Sequence, residues 1–186
     1  MNPRHSSSLI LVWRIAEVEA KRLNAQEIEP VHLLIGLCKV VDLDLPALVS
    51  KNTPDRDAIL EELLREVRKL RRVFATAQVD ARAFRRTLRG TPLDRRFQLP
   101  ESANLHRSSL TREAFADAEH VAQLTGGVVY PVHLLYAACL HEDEARDRAV
   151  RELGIDKKRL RAVAHREIIP QAPHVAPGER TKIPWN

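Results

Sequence analysis

The segment Pro30-Val31-His32-Leu33-Leu34 returns as Pro131-Val132-His133-Leu134-Leu135, five consecutive residues repeated at an offset of 101 residues. Self-similarity at a fixed spacing is the mark of a duplicated structural unit. The match extends in both directions. Downstream, the same offset pairs Cys38 with Cys139, Val49 with Val150, Asp55 with Asp156 and Ile59 with Leu160. Upstream the offset becomes 102, pairing Trp13 with Phe115, Ala16 with Ala118 and Ala20 with Ala122. The one-residue change falls at Gly126-Gly127, in a turn, where a duplicated fold absorbs differences in length.

Each copy reads as four helices. Leu9, Val12, Trp13, Ala16, Ala20 and Leu23 recur at steps of three and four, one apolar stripe on a first helix capped within Ser6 to Ser8. Pro30 suits the first turn of a second helix over 32–40, because the amide it lacks has no partner there. A short third helix is expected over 45–51. Thr53-Pro54-Asp55 is a cap, proline and acid that open a fourth over 55–74, with Ile59, Leu60, Leu63, Leu64, Val67 and Leu70 as its apolar face. The second copy predicts helices over 111–124, 132–140, 144–152 and 156–168, with Gly154 stopping the third. An extra helix over 80–89 is expected between the copies, followed by an irregular stretch with Gly90, Pro92 and Pro100. Val128 to Tyr130 is the one β-branched cluster and is too short to carry a sheet by itself.

The fold class is therefore all-α, two tandem four-helix repeats related by a pseudo-twofold and joined by a helical connector. The expected organisation is one domain over 1–169, with repeat one at 8–74, a basic connector at 75–108 and repeat two at 109–169. A tail follows at 170–186, where four prolines argue for an extended chain.

Composition narrows the function. The 186 residues are 44% apolar, 30% charged and 4% aromatic, enough for a core of their own. No apolar run approaches the ~20 residues that span a bilayer. Leu9 to Trp13 is too short for the core of a signal peptide, so a cytoplasmic protein is expected. Cys38 and Cys139 read as reduced, buried thiols rather than a secreted disulfide framework. No glycine stands in a phosphate-cradling motif and no serine in a nucleophile elbow. On one helix His32 and Cys38 point about 240° apart and so do not share a metal ion. The expectation is no catalytic residue, no metal and no cofactor.

The repeats, each with an Ala-xxx-Ala first helix and a Pro-x-His-Leu-Leu second helix, resemble the Clp N-terminal (Clp repeat) domain. The resemblance covers about residues 8 to 73 and 109 to 168. It implies a non-enzymatic module that binds proteins: Clp ATPase or protease subunits, adaptors or unfolded clients. Because no ATPase follows here, the chain is similar to stand-alone Clp-repeat proteins that act as accessory factors, adaptors or regulators of an ATP-dependent Clp protease or chaperone. Family members that read phosphoarginine carry a Glu just before each His-Leu-Leu. Here those positions are Val31 and Val132, which offer apolar contact where a carboxylate would pair with a guanidinium.

The surface around the starts of the second helices, Pro30, Val31, Tyr130, Pro131 and Val132, is accordingly the expected partner-binding site. A second candidate is basic. The net charge is +5, 23 of the 30 cationic residues are Arg, and 65–96 holds eleven Lys and Arg against three acids. Arg82, Arg85, Arg86 and Arg89 in this segment are candidates for an anionic partner, either an acidic protein or, as the alternative function, a nucleic acid. No aromatic platform accompanies them, which weakens the nucleic-acid reading. Trp13 and Phe115 read as core. Trp185, beside Ile183 and Pro184 in the tail, is a candidate anchor for a partner's pocket.

Overall fold

The computed structural model describes residues 4–90 and 105–169. The irregular connector stretch with Arg95, Arg96 and Phe97, and the tail with Trp185, lie outside the described residues.

Among the described residues the chain forms helices α1 (Ser7–Arg22), α2 (Pro30–Val40), α3 (Leu45–Leu48), α4 (Arg56–Thr76), α5 (Ala81–Gly90), α6 (Ser109–Leu124), α7 (Pro131–Ala138), α8 (Glu144–Glu152) and α9 (Lys157–Ile168). Four two-residue strands complete it: β1 (Arg4–His5), β2 (Glu27–Ile28), β3 (His106–Arg107) and β4 (Val128–Val129). The fold is all-α, as the repeat requires.

Local chemistry explains the boundaries. Ser6 caps α1 by accepting the Leu9 amide, and Ser108 caps α6 by accepting the Thr111 amide at the matching position. Gly154, at φ +63°, ends α8 in the left-handed conformation that glycine adopts freely. Three expectations need correction. Asp55 precedes α4 in a left-handed conformation and makes no side-chain cap bond. The third helix stops at Leu48 instead of 51, where the Arg56 guanidinium takes the carbonyls of Pro46 and Val49. The seventh stops at Ala138 instead of 140, because the fully buried Arg146 side chain on α8 takes the carbonyls of Ala138 and His141.

The strands carry the pseudo-twofold. β1 pairs in parallel with β4, placing Arg4 opposite Val128 and His5 opposite Val129. β2 pairs in parallel with β3, placing Glu27 opposite His106 and Ile28 opposite Arg107. Each repeat thus lends the strand before its first helix to the turn before the other repeat's second helix. The Ser6 amide then donates to the Val129 carbonyl at 3.0 Å and the Ser108 amide to the Ile28 carbonyl at 3.2 Å. The Val128 cluster therefore does pair, its shortness offset by a partner from the other repeat.

One core runs through both halves, with Leu33, Leu34, Leu134 and Leu135 inaccessible at its centre. α1 and α2 approach so closely at Gly36 that an added Cβ would lie 2.7 Å from the Val12 carbonyl oxygen. Trp13 is only half-buried. It meets the buried Phe115 ring edge-on across the repeat boundary at 5.8 Å between centroids, and the Arg107 guanidinium covers both rings. Helix α5 belongs to the core, for Phe84 and Leu88 are fully buried and it packs on α2 and α8.

Candidate functional site

The starts of α2 and α7 are built alike. A proline opens each helix, and two residues on a buried histidine turns back to the chain. His32 Nδ1 accepts the Glu29 amide at 2.9 Å, and His133 Nδ1 accepts the Tyr130 amide at the same distance. An accepting Nδ1 leaves the proton on Nε2, so both rings are neutral donors there. Burial pushes both imidazoles down to about 4. These histidines shape the backbone, and both cysteines lie buried and unpaired in the core. Burial pushes the Cys38 and Cys139 thiols well above their ordinary range, which leaves them unreactive.

The valines behind the expected docking surface are mostly covered. Val31 is 1% exposed and Val132 4%, and Pro30 and Pro131 are buried with them. The expectation of apolar contacts presented alike by both repeats is corrected accordingly, since hydrophobic burial draws these side chains into the core. Among the described residues, a cleft opens at this place beside the first repeat. A cavity of about 350 Å³ is lined by Ala25, Gln26, Glu27, Glu29 and Val31 from the first repeat and by Leu110, Glu142, Asp143, Glu144 and Ala145 from the second. Val31, Ala25, Leu110 and Ala145 supply apolar surface and five carboxylates supply charge, with no cation among the lining residues. Burial pushes the Glu29 carboxyl up; the Ser108 hydrogen bond opposes this, and the neighbouring charges of Glu27 and Asp143 add to it. Asp143 also caps α8 by accepting the Arg146 amide.

At the second repeat the corresponding surface is occupied by α4. Lys69 lies over the half-buried Tyr130 ring, 5.9 Å from its centroid, and the buried Glu66 carboxylate accepts the Ser8 hydroxyl. The repeats are thus related in backbone and unlike in surface.

The connector arginines face carboxylates of their own chain. Arg82 and Arg85 reach Asp42 at 3.2 and 3.4 Å, and Arg89 clasps Glu19, itself 1% exposed, with Lys39 at 3.5 Å on the same carboxylate. Burial pushes the Glu19 carboxyl up, but the Arg89 bonds and the charges of Arg89, Lys39 and Arg22 hold it below the usual carboxylate value. Arg86 alone of the four makes no ion pair among the described residues.

Solved structures share this architecture. The Hsp104 N-terminal domain from Candida albicans superimposes with a TM-score of 0.60 at 15% identity, covering 87% of this chain and 89% of that one. The N-terminal domain of the caseinolytic protease associated chaperone ClpD from Arabidopsis thaliana gives a TM-score of 0.57 at 16% identity, covering 88% and 93%. This chain has the Clp N-terminal domain fold. No protein-family model matches the sequence, and no curated protein matches it. In this Clp N-terminal fold the cleft residues Glu27, Glu29, Leu110 and Ala145 escape sequence reasoning, because three remote segments assemble them. The acids at 142–144 are visible in sequence only as the opening of a helix. No helix among the described residues is long and apolar enough to cross a membrane.

Proposed function

We propose that this chain is a non-catalytic, cytoplasmic protein-binding module that serves an ATP-dependent Clp chaperone or protease as adaptor or regulator. The observation that carries the reading is the cleft between the repeats, whose apolar floor and carboxylate rim suit a peptide segment bearing Arg or Lys beside an apolar side chain. Charged rims steer and align a partner while the apolar floor holds it. The fold supports the reading, being that of two chaperone N-terminal domains. The ion pairs of Arg82, Arg85 and Arg89 favour it over nucleic-acid binding through the connector, since those charges are already matched within the chain.

Exposed rim residues provide the test. Val31→Asp and Val132→Asp would bury charge and unfold the chain before informing on binding. Glu142→Lys/Glu144→Lys alters exposed side chains. It is expected to weaken binding of a fluorescent Arg- and Leu-containing peptide by about tenfold with the melting temperature unchanged. Undiminished binding by this variant would overturn the proposal.

A further inference from the structure

Helix α4 divides sharply by face. Leu60, Leu63, Val67, Leu70 and Phe74 are buried on one side. On the other, Arg65, Arg68, Lys69 and Arg72 fall within about 100° of arc, at three- and four-residue spacing. With Glu61 at one end, they line a shallow cavity of about 190 Å³. Unlike Arg82, Arg85 and Arg89 on α5, most of these cations have no carboxylate partner among the described residues. Arg72 pairs with Glu167 at 3.0 Å. Arg68 turns its Nε to the Leu64 carbonyl of its own helix, Lys69 lies over the Tyr130 ring, and neither Arg65 nor Lys69 makes an ion pair among the described residues. Like charges at these spacings repel and weaken a helix. An external anion lying along the face would relieve that repulsion.

We infer that the exposed cationic face of α4 is a second docking surface, independent of the cleft, that takes an acidic protein segment in extended conformation. Charge complementarity names the occupant's sign, and scale favours a peptide. Arg65 and Arg72 are about 10 Å apart along the helix axis. An extended strand offers same-side carboxylates about every 7 Å, so two or three of them match this face. Polynucleotide binding draws on a longer basic track or on stacked aromatic rings. Tyr130, already beneath Lys69, is the one ring that contacts this face among the described residues. Fork-shaped guanidinium groups at Arg65 and Arg68 suit carboxylates in pairs.

The test uses the full chain and a short fluorescein-labelled peptide alternating glutamate and serine, read by anisotropy at low and at physiological salt. Arg65→Glu/Arg68→Glu is expected to lower its affinity by at least about tenfold and to flatten the salt dependence. Arg86→Glu, an equal charge change per site on α5, is expected to stay within about twofold. Circular dichroism and melting temperature confirm that the variants fold; should the double variant fail to fold, Arg65→Ala and Arg68→Ala singly, each expected to cost a few-fold, replace it. Equal losses for Arg86→Glu, no measurable peptide binding, or tighter binding of a single-stranded oligonucleotide than of the peptide would each overturn the inference. The Glu142→Lys/Glu144→Lys variant is expected to bind the acidic peptide undiminished, so that failure of the cleft reading and failure of this one are distinguishable.

Discussion

His32 and His133 each spend Nδ1 on the backbone amide three residues upstream, and this bond fixes the entry of a helix that cannot use its proline for the purpose. The Nε2 proton fares differently in the two halves. In His133 it faces the Thr125 hydroxyl at 3.4 Å, whereas Nε2 of His32 is buried without a hydrogen-bond partner among the described residues. Both rings are held near 4 by burial, against an ordinary value of 6.5. The folded pKa lies below the unfolded one, so the unfolded chain binds more protons between these values and stability falls as pH drops from 6.5 toward 4. Each histidine accounts for roughly 3 kcal/mol over that window. Glu29 and Glu66, both raised by burial, act in the opposite sense and blunt the slope. Asn places an acceptor near Nδ1 without titrating there. His32→Asn/His133→Asn is therefore expected to flatten the pH dependence of the urea midpoint between pH 6.5 and 4. A slope as steep as that of the parent would place the proton uptake on other groups.

At the scale of elements, periodicity serves well where burial is one-sided. The stripe from Leu9 to Leu23 and that from Leu60 to Leu70 locate α1 and α4, and serine caps locate the starts of α1 and α6. It fails where a distant side chain decides an end, as Arg56 does for α3 and Arg146 for α7. Helix α5 shows the same limit on a larger scale. Its five basic and polar positions make it read as a solvated connector, although two residues, Phe84 and Leu88, seat one face of it in the core. Asp42 and Glu19 then collect three of its arginines, Arg82, Arg85 and Arg89, which no local pattern connects to them. Removing the Phe84 ring leaves a cavity at the contact with α2, and Phe84→Ala is expected to cost roughly 3–5 kcal/mol by chemical denaturation. A loss below about 1 kcal/mol would show α5 to be an appendage after all.

For the whole molecule, the repeat predicts a pair of similar halves, and the backbone obeys. The surfaces do not. Val31 and Val132 occupy matching positions and are both nearly covered, yet a cleft opens beside Val31, whereas α4 lies across the corresponding surface of the second half with Lys69 over Tyr130. An offset of 101 residues says which residues correspond; it carries no information about what a third helix lays over them. The pairing of β1 with β4 and of β2 with β3 has a thermodynamic consequence. Neither half can keep its own second-helix entry without the strand supplied by the other, so the halves should open together rather than one at a time. Hydrogen exchange reads this directly. The Ser6 amide, bonded to Val129, and the Ser108 amide, bonded to Ile28, are expected to exchange with the same opening free energy, equal to that of the core amides in α2 and α7. In rising denaturant the two should shift in parallel. If Ser108 lost protection while Ser6 kept the full global value, the repeats would be separable folding units, and the exchanged strands would be mere contacts between them.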